Sequence, residues 1–155
     1  GIKVGIITDG RTKGQKNKIK ALGLDNLVKD IIITDELGGT QFRKPNDISF
    51  RIMQCRWRMP FENMIYLGDS ETDIPCMRLV MKSGGKAIGI YKDNEKQKKY
   101  LKDLLANNKI NYIAEADYSK GKMLETIVKA IIKSDKINFN LKELSKAQKS
   151  NKVDF

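Results

Sequence analysis

Asp69 and Asp73 stand four residues apart in the stretch Leu67-Gly68-Asp69-Ser70-Glu71-Thr72-Asp73. Two carboxylates at that spacing, with a hydroxyl between them and a glycine that lets the backbone come close, suit a hard cation such as Mg²⁺, which takes oxygen ligands. The stretch follows the apolar run Met64-Ile65-Tyr66-Leu67 and precedes a helical pattern in Ile74, Met77, Val80 and Met81, so a strand-to-helix turn is expected. Asp73 would serve equally well as an ordinary N-cap, with Pro75 tolerated in the first turn. Other segments must decide between capping and metal binding.

The elements that would position this turn follow from the chain in order. Residues 2–7 read as a buried parallel strand ending at Thr8-Asp9-Gly10. A helix is expected next, with Thr12 as N-cap, Ile19 and Leu22 on one face, and Gly23-Leu24 as a glycine C-cap with its hydrophobic contact. A second strand, residues 31–33, ends at Thr34-Asp35 and leads through Gly38 and Gly39 to Arg43-Lys44-Pro45. Pro45 sits where a helix can begin, which places Lys44 at its entrance, and Ile48, Ile52, Cys55 and Met59 recur at helical spacing. After the acidic turn come a helix to about Met81, a strand at residues 87–90, and a lysine-rich helix capped by Asn94 with Tyr100, Leu101, Leu104 and Leu105 inward. A weak strand at residues 112–114 and a helix carrying Met123, Leu124, Ile127, Val128 and Ile131 complete the core, so residues 1–133 form the domain. Residues 134–155 read as a basic polar tail.

Strands alternating with helices imply a parallel sheet covered on both faces, whose carboxyl ends line the ligand crevice. Thr8 and Asp69 fall at such ends, and Lys44 lies on a loop that can reach the same edge. In order and spacing, Ile7-Thr8-Asp9-Gly10, Arg43-Lys44-Pro45 and Leu67-Gly68-Asp69-Ser70-Glu71-Thr72-Asp73 resemble the second, third and fourth motifs of the haloacid dehalogenase superfamily. The resemblance covers residues 3–90 well and the chain to about Lys133 loosely. It implies an α/β, Rossmann-like three-layer sandwich and a Mg²⁺-dependent phosphohydrolase working through a phospho-aspartyl intermediate on a small phosphorylated substrate. By the same resemblance Thr8 would hydrogen-bond the transferring phosphoryl oxygen, Lys44 would neutralise its charge, and Asp69 would ligate Mg²⁺ with Asp73 beside it as ligand or support. Thr8, Asp9, Gly10 and Lys44 would face the substrate.

One departure is serious. The family's first motif, a strand followed by Asp-x-Asp, supplies nucleophile and acid/base, and no Asp-x-Asp occurs in these 155 residues. The chain opens on what would be the second core strand, so an N-terminally truncated form or a fragment of a cleaved parent is expected, inactive by itself. In the family fold the first-motif strand lies between the strand ending at Thr8 and the strand ending at Leu67. Without it, those two are expected to be bridged by a strand from another polypeptide, to pair directly in a shifted sheet, or to meet through a swapped dimer.

Composition narrows the alternatives. A chain of 155 residues with 40% hydrophobic content fits one domain with a single core. No apolar run approaches the roughly 20 residues of a membrane span and no secretory pattern opens the sequence, so a cytoplasmic protein without a membrane partner is expected. With no histidine and no CxxC pairing, Cys55 and Cys76 are expected to be reduced core thiols, not a zinc site or disulfide. The net charge of +11 is concentrated in the second half of the chain. It is lysine-rich without interleaved aromatics, which favours a solvated surface over a nucleic-acid partner. A binding or regulatory module without catalysis, and a nucleic-acid-binding domain using the basic half, stand as the alternative functions.

Overall fold

In the computed structural model, which describes residues 2–92 and 94–150, strands and helices alternate along the chain. The order is β1 (Gly5–Thr8), α1 (Thr12–Ala21), β2 (Asp30–Ile33), α2 (Ile48–Trp57), β3 (Ile65–Gly68), α3 (Ile74–Lys82), β4 (Lys86–Tyr91), α4 (Glu95–Ala106), β5 (Tyr112–Glu115) and α5 (Met123–Ser150). Every strand pair is parallel, as the crossover helices require. This is the expected Rossmann-like α/β sandwich.

Side-chain alternation along β4 builds the layers. Ala87 faces a cluster with Ile74, Met77, Leu101, Leu104 and Ile110, which seats α3 and α4 on one side of the sheet. Ile88 and Ile90 face Leu124 and Ile131 of α5 on the other. A third cluster, Phe50, Phe61, Cys76 and Val80, gathers Ile7 from β1 and Tyr66 from β3. Phe50 meets the Tyr66 ring edge-on at 4.8 Å between centroids.

That third cluster matters because the strands form two sheets, β1-β2 and β3-β4-β5. Among the described residues β1 and β3 do not pair, so the direct pairing allowed for above is not adopted. No residue of β1 is buried, and Leu67 of β3 is 40% exposed. Backbone groups on such edges can be hydrated, and the sheets are joined through helices instead.

Several local expectations hold. Gly23 adopts φ +66°, and the N–H groups of Gly23 and Leu24 return to Lys20 and Ile19, the Schellman pattern. The Asn94 side chain accepts from the Gln97 N–H at 3.1 Å. Others are corrected. Thr12 is the first helical residue, not the cap. Helix α2 begins at Ile48, not at Pro45, whose peptide bond with Lys44 is cis. Its buried residues are Ser49, Phe50 and Met53, with Phe50 seated against Phe61, Cys76 and Val80, and Cys55 is exposed. The part of the expected basic polar tail at residues 134–150 is helical: with no glycine or proline after Gly121, α5 runs on to Ser150. Its core contacts end at Ile131, and beyond that Ile137, Leu141 and Leu144 are each more than half exposed. Residues 151–155 lie outside the described part. No helix among the described residues is long and apolar enough to cross a membrane.

The two thiols should differ in reactivity. Burial pushes the Cys76 pKa up to about 12, so it is a neutral thiol at ordinary pH, while Cys55 is exposed. Titration with a chromogenic disulfide at pH 8 should count one reactive thiol in the native chain and two in denaturant. Two fast thiols in the native chain would contradict the placement of Cys76.

Candidate active site

Asp73 is the most heavily coordinated side chain at the strand ends. It is 2% exposed, and its Oδ1 accepts from Lys44 Nζ at 2.6 Å and from the Tyr66 hydroxyl at 2.7 Å. Its Oδ2 accepts from Ser70 Oγ at 2.7 Å and from the backbone N–H groups of Ser70 and Asp69 at 3.0 and 3.1 Å. Ser70 and Asp73 thereby form a reciprocal capping box across the turn. Burial by itself would raise the Asp73 pKa. The donors from Lys44, Tyr66 and Ser70 outweigh that and hold it below the usual range, so the group is a carboxylate at neutral pH. Burial, and then the charge of Asp73, push the Tyr66 phenol far above its ordinary pKa and keep it a donor. Gly68 is required by close approach, since a Cβ there would lie 2.7 Å from that of Asp73.

Lys44 reaches this carboxylate because its own backbone is pinned. Its N–H lies 3.3 and 3.2 Å from the two carboxylate oxygens of Asp9, and Asp9 Oδ1 also accepts from the buried Thr34 hydroxyl at 2.9 Å. The loop between β2 and Lys44 is held by a two-pronged Arg43–Asp35 pair, both contacts 2.7 Å. Arg43, outweighing desolvation, lowers the Asp35 pKa. Thus the ends of β1, β2 and β3 are tied together through one lysine: backbone to Asp9, ammonium to Asp73.

Thr8, Lys44, Asp69 and Asp73 all lie at the carboxyl-end edge expected of them. Their environments differ. Asp69 is exposed, and its carboxylate has no hydrogen-bonding or ionic partner among the described residues, while its carbonyl accepts from Gln97 Nε2 at 2.7 Å. A free carboxylate fits a hard cation as one ligand. Asp73 has both oxygens occupied by protein donors, the geometry of a supporting group. The carboxylate of Asp9, expected at the substrate, accepts from the Thr34 hydroxyl and the Lys44 N–H. Among the described residues no cluster of three acidic, histidine or cysteine side chains could hold a metal by itself. Sequence reasoning passed over Tyr66, counted there as part of an apolar strand, and Gln15, whose Oε1 accepts from Thr8 Oγ1 at 3.0 Å. The available signal was a polar tip on a strand residue seven positions before Asp73.

The chain is also similar to known proteins. Residues 1–90 match a family model described as haloacid dehalogenase-like hydrolase. A protein of Borreliella burgdorferi named only as uncharacterized is 28% identical over 118 residues, covering 72% of this chain and 39% of that protein. A glyceraldehyde 3-phosphate phosphatase of Methanocaldococcus jannaschii is 35% identical over 97 residues, covering 61% of this chain and 41% of that protein. The chain thus spans about two fifths of the length of the curated relatives it matches.

If Asp73 is held chiefly by Lys44, removing the cation strands a buried charge. Lys44→Met should destabilise by about 3–5 kcal/mol, and Lys44→Met combined with Asp73→Asn should cost less than the sum of the two single changes. Denaturant unfolding of the four proteins checks this, and strict additivity would contradict the pairing.

Proposed function

The chain belongs to the haloacid dehalogenase-like hydrolases, and from that premise we propose that it is the greater part of the core of a cytoplasmic Mg²⁺-dependent phosphatase acting on a small phosphorylated metabolite. The observation that carries the reading is the 2.6 Å Lys44–Asp73 pair, which holds an ammonium between strand ends bearing Thr8 and Asp69. Phosphoryl transfer asks mainly for positioning and charge neutralisation, and these groups supply both. Thr8 donates to a phosphoryl oxygen; Lys44 balances the negative charge; Asp69 holds Mg²⁺, which when bound adds further neutralisation and orients the phosphoryl group. Asp73 keeps Lys44 and the Asp69 turn in place. The phosphatase name of the Methanocaldococcus jannaschii relative supports the same chemistry and the same class of substrate.

The carboxylate that attacks phosphorus comes, in this reading, from an Asp-x-Asp segment outside these residues; the ester P–O bond breaks, the protonated alcohol leaves, and water then cleaves the phospho-aspartyl intermediate to inorganic phosphate. Two observations support it: no Asp-x-Asp occurs in the sequence, and β1 and β3 are each paired on one side only among the described residues. A parallel strand laid between them, from an N-terminal segment or a second protomer, would satisfy both edges and bring its carboxyl end to Lys44.

Mg²⁺-dependent hydrolysis of p-nitrophenyl phosphate tests the reading. The 155-residue chain alone should not turn over, whereas a longer protein carrying the Asp-x-Asp strand should, and there Asp69→Ala should lower kcat/KM by roughly 100-fold or more. Turnover by the short chain that Asp69→Ala abolishes would put the nucleophile within it. A longer protein without Mg²⁺-dependent turnover would favour a binding module.

A further inference from the structure

Thr8 has one hydroxyl proton, and in this fold that proton is already given away, since Oγ1 donates to Oε1 of Gln15 at 3.0 Å. Gln15 lies near the start of α1, where a helical side chain leans back toward its own N-terminus and so carries its amide over the Thr8-Asp9-Gly10 loop. The loop is shaped to receive it. Gly10 holds φ +125°, and a Cβ there would stand 2.7 Å from Gln15 Nε2, so a side chain at position 10 and the amide would compete for one space. With Oε1 engaged by Thr8, Nε2 has no protein partner among the described residues. It reaches solvent, because Ser49 Oγ is the one buried side-chain polar atom without a partner among those residues. A two-proton donor is therefore held at the strand end beside the hydroxyl and directed by it.

Building on the reading of Thr8 as a phosphoryl-binding group, we propose that Gln15 is a second donor to the same phosphoryl group: Nε2 hydrogen-bonds one oxygen, while Oε1 holds the Thr8 hydroxyl until the anion draws that proton to itself. An ammonium such as that of Lys44 balances charge but fixes orientation weakly, being a point charge with rotatable donors. An amide and a hydroxyl 3.0 Å apart fix the direction of two phosphoryl oxygens. Gln15 is a binding and positioning residue here and takes no part in bond making.

Titration of the ¹⁵N-labelled chain with inorganic phosphate tests this, read on the Gln15 side-chain amide and on the Thr8 backbone amide. Both signals should move on one saturation curve. Gln15→Leu should weaken phosphate by roughly tenfold, the loss of one hydrogen bond to a charged group, with an unchanged unfolding midpoint. Gln15→Glu keeps the shape but turns the donor into an anionic acceptor, and should weaken phosphate more. Wild-type affinity in both Gln15 variants, with weakened binding in Thr8→Val, overturns the proposal and leaves the Thr8 reading standing. Wild-type affinity in Thr8→Val as well, or no saturable shift at all, overturns both. Should Gln15→Leu unfold the chain, the wild-type side-chain signal decides, and its failure to shift at saturation rejects the role.

Discussion

A single ammonium placed against a buried carboxylate is the constraint on which the rest of this structure depends. Asp73 is inside the protein, where an unpaired charge would be costly, and five donors converge on it from a lysine, a tyrosine, a serine hydroxyl and two backbone amides. Each donor comes from an element that must then stay where it is. The turn after β3 is folded around Asp73, Tyr66 is drawn along its strand to meet it, and the loop bearing Lys44 is brought across from β2. The same lysine is tied by its backbone to Asp9 at the end of β1. A polar network of this kind is stable only when every member is satisfied, and here it is.

This network explains how two separate sheets can share one functional edge. Strand hydrogen bonds do not connect β1 to β3, so their relative placement rests on side chains. The apolar cluster around Phe50 and Cys76 supplies one link, with Ile7 and Tyr66 reaching it from the two sheets. Lys44 supplies the other, at the edge where chemistry would occur. Tyr66 belongs to both, packing its ring on Phe50 and pointing its hydroxyl at Asp73. The division of labour is physical: dispersion and burial hold the sheets at a distance, while charge and hydrogen bonding set their register at the ligand end.

Much of this was legible in the sequence, for local reasons. Strand ends, helix order and the glycine at Gly68 follow from apolar runs and turn chemistry within a few residues of one another. The motif residues fall at strand ends because parallel strands interleaved with helices leave nowhere else for polar turns. What escaped the sequence was what depends on distant partners. Asp73 has the same spacing from Asp69 whether it binds metal or supports a turn, and its bonds from Lys44 and Tyr66 come from partners its spacing does not reveal. That Asp9 also accepts from Thr34, 25 positions away, is likewise set by a distant partner. Helix α2 turns Phe50 and Met53 inward and Cys55 outward because Phe50 docks on Phe61, Cys76 and Val80, partners that its own periodicity does not reveal. The extension of α5 escaped because polar composition says whether a segment is solvated, not whether it is helical.

The most direct measurement is the hydrogen-exchange and chemical-shift behaviour of the Lys44 ammonium in a ¹⁵N spectrum tuned to lysine side chains. Held at 2.6 Å from Asp73 and 13% exposed, its protons should exchange slowly enough to give a resolved signal at neutral pH, and Asp73→Asn should abolish it. A Lys44 ammonium that exchanges as fast as the exposed lysines of α4, or one unaffected by Asp73→Asn, would contradict the claim that this pair organises the site.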